Sequence, residues 1–138
     1  RMLAVHLGGV VNCIDAVLPG MLERGSGHVI TISSELALTG GERDAHYAAA
    51  KAASIGLTRS LAAELAGAGV RFNSVAPGPT DTPLLKPDSP WRDPAYLAGL
   101  PLRRLGTPRE VAETVAFLAR EGDFYTGQVL SPNVGTVI

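Results

Sequence analysis

A single cysteine, Cys13, stands among the 138 residues, so neither an intrachain disulfide nor a thiolate metal cluster can form. The three histidines, His6, His28 and His46, fall at no metal-ligand spacing, and no metal is expected. Charge of neither sign prevails: twelve basic residues face thirteen acidic ones. That excludes the basic stripe or arm that a nucleic-acid partner requires. No signal-peptide pattern is present, and the first apolar run is interrupted by His6, Asn12 and Asp15, which speaks against a membrane span. The cytoplasm is the expected compartment. Also absent is any Gly-x-x-x-Gly-x-Gly or Gly-x-Gly-x-x-Gly turn behind a first strand, together with the acidic residue that would hold an adenosine ribose. These residues therefore supply no pyrophosphate or adenosine site.

What is present is a hydrophobic content of 46%, ample for the core of one domain. His28 to Ser33 is a short β-branched segment bounded by Gly27, and it predicts a buried strand that ends at Ser33 and Ser34. Tyr47 to Ala66 is rich in Ala and Leu and predicts a helix beginning near Asp44 or Ala45. Thr39-Gly-Gly41 breaks the chain between the two, leaving a loop able to fold over a substrate. Tyr47 and Lys51 are one helical turn apart on one face. An ordinary phenol has a pKa of about 10. A neighbouring cation and the positive end of the helix both favour its phenolate, so Tyr47 is expected to exchange protons with an alcohol or carbonyl oxygen. Ser34, at the strand end, would hold that oxygen.

Ser34 followed by Tyr47-Ala-Ala-Ala-Lys51 resembles the catalytic serine and Tyr-x-x-x-Lys of the short-chain dehydrogenase/reductase family. The resemblance implies that Ser34 orients the substrate, that Tyr47 is the general acid/base, and that Lys51 binds the nicotinamide ribose and acidifies the tyrosine. It implies NAD or NADP as cofactor, with Tyr47, Lys51, Pro77, Gly78, Thr80 and Thr82 as contacts. The last four belong to Pro77-Gly-Pro-Thr-Asp-Thr82, which follows a second strand, Val70 to Ala76. Alone this is a rigid turn. Beside the triad it resembles the family's Pro-Gly motif, which implies packing on the nicotinamide, with Thr80 and Thr82 bonding the carboxamide or the phosphates. The family more often has Val or Ile where Thr80 stands.

Residues 1–24 predict a helix that resembles the family's long fourth helix. His6 stands where the family carries an asparagine that links the lysine to a proton path; it is either a relay or an ordinary helix histidine. At the other end, Ser131-Pro-Asn-Val-Gly135 replaces the usual Asp-Gly-Gly after Thr126-Gly-Gln.

Between these motifs, residues 83–104 carry five prolines and no sustained period, which predicts a lid with a short helix around Ala95 to Leu100. Leu84, Leu85, Trp91, Tyr96 and Leu97 suit either an apolar ligand or packing of the lid on the body. Thr107-Pro-Arg-Glu110 is a capping box that opens a helix reaching about Arg120. A last strand is expected from Tyr125 to Leu130.

The order helix, strand, helix, strand, lid, helix, strand predicts an α/β fold, a Rossmann-like parallel sheet with helices on both faces. The chain looks like the carboxyl-terminal half of such a domain, with an open sheet edge, and by itself is expected to be a poor enzyme. The Tyr47 helix is apolar nearly all round, and in the resembling family this helix builds a homodimer or homotetramer. The expected function is an NAD(P)-dependent oxidoreductase acting on a carbonyl or secondary alcohol. A 3-oxoacyl thioester, sugar, steroid and alicyclic alcohol all stay open as substrates. The alternatives are a truncated interaction module and a non-redox member of the fold; a dehalogenase of that kind would carry Arg at Lys51.

Overall fold

The computed structural model describes all 138 residues. It opens with two helices, α1 (Met2–His6) and α2 (Gly8–Glu23), separated only by Leu7, which keeps helical angles (φ −95°, ψ −52°). The irregularity falls where two glycines, the weakest helix formers after proline, follow in sequence. The pair spans Met2–Glu23 and is long and apolar enough to cross a membrane by length and composition. The polar residues His6, Asn12 and Asp15 thus interrupt this run less than the sequence reading supposes. In the fold the helices pack on α4 (Ala45–Leu65) and on β1 (Gly27–Ile32).

Strand β1 pairs in parallel with β2 (Val70–Val75), in a register that sets Gly27 opposite Val70 and Ile32 opposite Val75. The third strand is β3, which pairs in parallel with β2 through Val129 and Leu130 alone. It is four residues shorter than the sequence predicts. Gly127 takes φ +72° and ends the extended path on the amino-terminal side. The Asn73 side chain accepts the Gln128 N–H at 2.9 Å, taking the place of a ladder bond. The sheet order β1-β2-β3 leaves β1 at one edge.

Alternation along β1 and β2 sends successive side chains to opposite faces. On one face Val29, Val70 and Phe72 meet α2 and α4 in a core built with Ile14 and Ala62. The other face is covered by α6 (Pro108–Glu121), whose Leu118 is fully buried. Helices thus lie on both faces, as expected. The expected capping box is formed: Thr107 Oγ1 accepts the Glu110 N–H at 3.2 Å, and the Glu110 carboxylate accepts the Thr107 N–H at 2.8 Å. With Arg104 also donating to it, that carboxyl is held at about 2.

Under α6 the two strands carry polar groups that must bond to one another. Asn73 Nδ2 donates to the Tyr125 carbonyl at 2.8 Å and meets His28 Nε2 at 2.8 Å. Because the amide donates, Nε2 accepts, and His28 carries its proton on Nδ1 when neutral. Burial, and then the Arg71 guanidinium, hold the His28 pKa below 6.5. The unfolded chain therefore takes up this proton first, so the His28 contribution is complete above about pH 6.5 and is lost as pH falls through the folded value. The melting temperature is expected to drop as pH falls below about 6.5, and His28→Gln is expected to flatten that drop. Thermal denaturation monitored by circular dichroism checks it; equal slopes for the two proteins would contradict it. The Glu110 contribution falls in a separate window, below its ordinary value of 4.5.

Candidate active site

Three side-chain bonds fix α4 across the carboxyl end of β1. Thr31 Oγ1 meets Thr58 Oγ1 at 3.0 Å, and Ser33 Oγ donates at 2.9 Å to the Lys51 carbonyl, which also accepts from Ser54 within α4. The Lys51 ammonium reaches back to the Ile32 carbonyl at 2.9 Å. Small side chains at Ala48 and Ala50, both buried, let the helix come close. One consequence is that Lys51 Nζ lies 5.7 Å from the centre of the Tyr47 ring, within cation–π range. The other is that Ser34, where the chain leaves β1, is held at the mouth of the same space. Its Oγ is buried, accepts the Leu36 N–H at 3.2 Å and donates to Glu35 Oε2 at 3.1 Å.

A cleft of about 630 Å³ opens beside these groups. Ser34, Tyr47 and Lys51 line it together with Pro77, Gly78, Thr80 and Thr82. Every site residue expected from the sequence therefore meets in one space, at the carboxyl ends of the strands, where open α/β sheets bind ligands. The loop after β2 is held by its surroundings. A side chain at Gly78 would lie 2.6 Å from the Asn133 backbone, and the Gly78 N–H donates to Pro132 O at 3.1 Å. Thr80 Oγ1 donates to Gly78 O at 2.9 Å, and Thr80 pairs with Gly106 in an isolated parallel bridge.

The stretch between Ser34 and Tyr47 is more ordered than the expected loop: Leu36–Thr39 forms a single helical turn, α3, that packs on α4. In residues 83–104 a 3-10 turn, Pro90–Arg92, and α5 (Pro94–Gly99) are present. Of the five apolar residues there, Leu84, Leu85 and Trp91 line the cleft, while Tyr96 packs edge-on against Trp91 with ring centres 5.0 Å apart. Arg92 ties this segment to the loop, pairing with Asp81 at 2.5 Å and donating to Leu85 O at 3.0 Å. His6 sets its ring edge-on to Tyr47 at 5.5 Å.

The electrostatics differ from the sequence expectation. Tyr47 is pushed above its ordinary pKa, first by burial and then by the charges of Glu35 and Asp44, with the Ser34 hydroxyl acting the other way. Burial lowers Lys51 below its ordinary pKa. Glu35 and Asp44, both in the cleft wall, are the groups that sequence reasoning missed. The available signal was the acid directly after Ser34 in an otherwise apolar run.

A parallel sheet, a helix carrying Tyr-x-x-x-Lys and a serine at the strand end together define a Rossmann-like α/β fold. Residues 1–136 match a family model described as enoyl-(acyl carrier protein) reductase, and the chain belongs to the short-chain dehydrogenase/reductase family. It is 38% identical over 138 residues to 3-oxoacyl-[acyl-carrier-protein] reductase FabG of Thermotoga maritima, covering 99% of this chain and 56% of that protein. Against the protein of the same name from Vibrio cholerae the identity is 41% over 135 residues, covering 97% and 55%. A crystal structure from Beutenbergia cavernae, a candidate NAD(P)-dependent gluconate 5-dehydrogenase with NADP bound at low occupancy, superposes with a TM-score of 0.87. It is 38% identical, and the match covers 96% of this chain and 55% of that one. The chain thus spans about half the length of the curated relatives it matches.

In the ligand-free protein Tyr47 is expected to ionise above pH 10. A difference titration near 295 nm between wild type and Tyr47→Phe isolates it from Tyr96 and Tyr125. Glu35→Gln is expected to lower its midpoint, because that charge is one of the raising causes. A Tyr47 midpoint below 10 would contradict this description of the site.

Proposed function

We propose that the chain carries the nicotinamide-facing half of an NAD(P)-dependent oxidoreductase, which moves hydride between nicotinamide C4 and a carbonyl or secondary-alcohol carbon. The convergence of Ser34, Tyr47, Lys51 and the loop 77–82 on one cleft is the observation that carries this reading. The donor set fits the nicotinamide end of the cofactor. An ammonium with N–H groups beyond its bond to Ile32 O suits ribose hydroxyls, and Pro77 and Pro79 offer apolar surface to a flat ring. The chain has no glycine-rich turn for a pyrophosphate.

When bound, the nicotinamide supplies the hydride in reduction and receives it in oxidation. Ser34 donates a hydrogen bond to the substrate oxygen. Tyr47 gives that oxygen its proton as the carbon gains hydride, so C=O becomes CH–OH, and takes the proton back in the reverse direction. A phenol held above its ordinary pKa keeps its proton at neutral pH, which suits the reductive direction. Lys51 binds the ribose and faces the phenolate left after transfer.

Residues 83–104 act as the lid over this cleft, and Leu84, Leu85 and Trp91 support that role. A 3-oxoacyl thioester, to which the names of the two relatives point, belongs to the substrate class; so do sugars, steroids and alicyclic alcohols. The working protein is a cytoplasmic homodimer or homotetramer, a reading supported by the exposed small-residue face of α4 at Ala49, Ala52 and Gly56.

Tyr47→Phe is expected to lower kcat by about 10² to 10⁴-fold, the range for loss of a positioned acid/base. Lys51→Met is expected to weaken NADPH binding as well. Turnover followed by nicotinamide absorbance, and binding followed by NADPH fluorescence, check both; a Tyr47→Phe protein with wild-type kcat would overturn the reading.

A further inference from the structure

The oxidoreductase reading leaves two acids of the cleft without a task, Glu35 and Asp44, and of these Glu35 is the one bonded to Ser34. Glu35 follows Ser34 and lines the cleft half-buried, yet it belongs to none of the chain's ion pairs, which are Arg71–Asp123, Arg92–Asp81, Arg104–Glu110 and Arg109–Glu113. The nearest ammonium in the cleft, on Lys51, is bonded to the Ile32 carbonyl. A carboxylate offers roughly four acceptor positions. In this structure the Ser34 hydroxyl fills one of them, at 3.1 Å, and the main-chain N–H groups of Glu35 and Leu36 also favour the carboxylate.

That bond has a consequence for the reaction. A serine hydroxyl has one proton, and here it points at Glu35 instead of toward a reacting oxygen. A substrate with only acceptor groups must pull that proton away and leave a half-buried carboxylate short of a donor, which is costly. It would also bring oxygen lone pairs against the carboxylate. A substrate hydroxyl reverses both effects: its O–H donates to Glu35, and the Ser34 proton is free to turn to the reacting oxygen. The span fits as well. An oxygen bonded to Ser34 Oγ lies within about 6 Å of the carboxylate, the sum of two hydrogen bonds. A hydroxyl on the neighbouring carbon bridges such a span.

We propose that Glu35 is a specificity-determining residue whose carboxylate selects substrates bearing a hydroxyl on the carbon next to the reacting one, vicinal diols and α-hydroxy ketones, over carbonyl compounds that present only acceptors there. This rests on the oxidoreductase reading of the same cleft. In the oxidative direction the secondary carbinol loses its hydrogen as hydride to nicotinamide C4 and its hydroxyl proton to Tyr47, leaving a ketone. The second hydroxyl keeps its bonds throughout and serves only to engage Glu35. Burial raises the carboxyl above the ordinary glutamate value, with Ser34 opposing, and a donated hydroxyl proton offsets that burial.

The test is steady-state kinetics with NAD and NADP on matched pairs: butane-2,3-diol with butan-2-ol, cyclohexane-1,2-diol with cyclohexanol, and glycerol-derived and sugar polyols with their deoxy counterparts. A 3-oxobutanoyl thioester serves in the reductive direction. Wild type is expected to prefer the hydroxylated member by about ten-fold or more in kcat/KM, the size of one hydrogen bond to a charged group. Glu35→Val is expected to bring that ratio close to one, chiefly through KM of the diol. Glu35→Gln, which keeps the shape and one acceptor, is expected to fall between and guards against misfolding of the valine variant. Turnover in which the deoxy partner or the thioester is preferred, and in which Glu35→Gln leaves the ratio unchanged, overturns the proposal while the oxidoreductase reading stands. Absence of all nicotinamide-linked turnover together with absence of NADH and NADPH binding overturns both.

Discussion

The seating of α4 across the carboxyl end of β1 is the contact on which the rest of the site depends. It is made largely of short polar side chains: Thr31 against Thr58, and Ser33 on the Lys51 carbonyl. Each such bond contributes only about 1 kcal/mol net, but losing one leaves a buried partner unsatisfied, which is the larger penalty. Since Tyr47 and Lys51 ride on α4 and Ser34 on the end of β1, a shift of the helix by a fraction of a turn would part the Tyr47–Lys51 pair from Ser34. Hydroxyls here do what larger apolar side chains could not, because they bond at short range and keep the helix near the strand.

The loop 77–82, which also forms a wall of the cleft, is held by a different part of the chain. Asn133, in the turn after β3, is buried; its side chain donates to Ser131 Oγ and Val137 O and accepts the Gly135 N–H. Its backbone leaves no room for a Cβ at Gly78. The departure of residues 131–135 from the family's usual Asp-Gly-Gly is thus absorbed by a side chain that ties its own turn together. The Thr80–Gly106 bridge and the Arg92–Asp81 pair then connect this wall to the segment 83–104.

The parts legible in the sequence were those governed by local chemistry. β1 follows from its β-branched run, α6 from its capping box, and the alignment of Tyr47 with Lys51 from helical spacing alone. The meeting of Ser34, Tyr47 and loop 77–82 followed from motif order, because a parallel strand topology brings such ends together. What stayed hidden depends on burial and on neighbours distant in sequence. The Tyr47 phenol is raised, not lowered, because burial outweighs a cation that is itself partly desolvated. β3 is short because Asn73, some fifty residues earlier, takes over its first bond. Glu35 belongs to no motif, and its place in the cleft wall comes from the fold alone.

The claim that this cleft is the nicotinamide end of a cofactor site is tested most directly by two-dimensional NMR of the labelled protein titrated with nicotinamide mononucleotide. Saturable shifts confined to Ser34, Tyr47, Lys51 and the amides of Gly78, Thr80 and Thr82 are predicted, with none from adenosine. Shifts elsewhere only, or none at millimolar ligand, would contradict it.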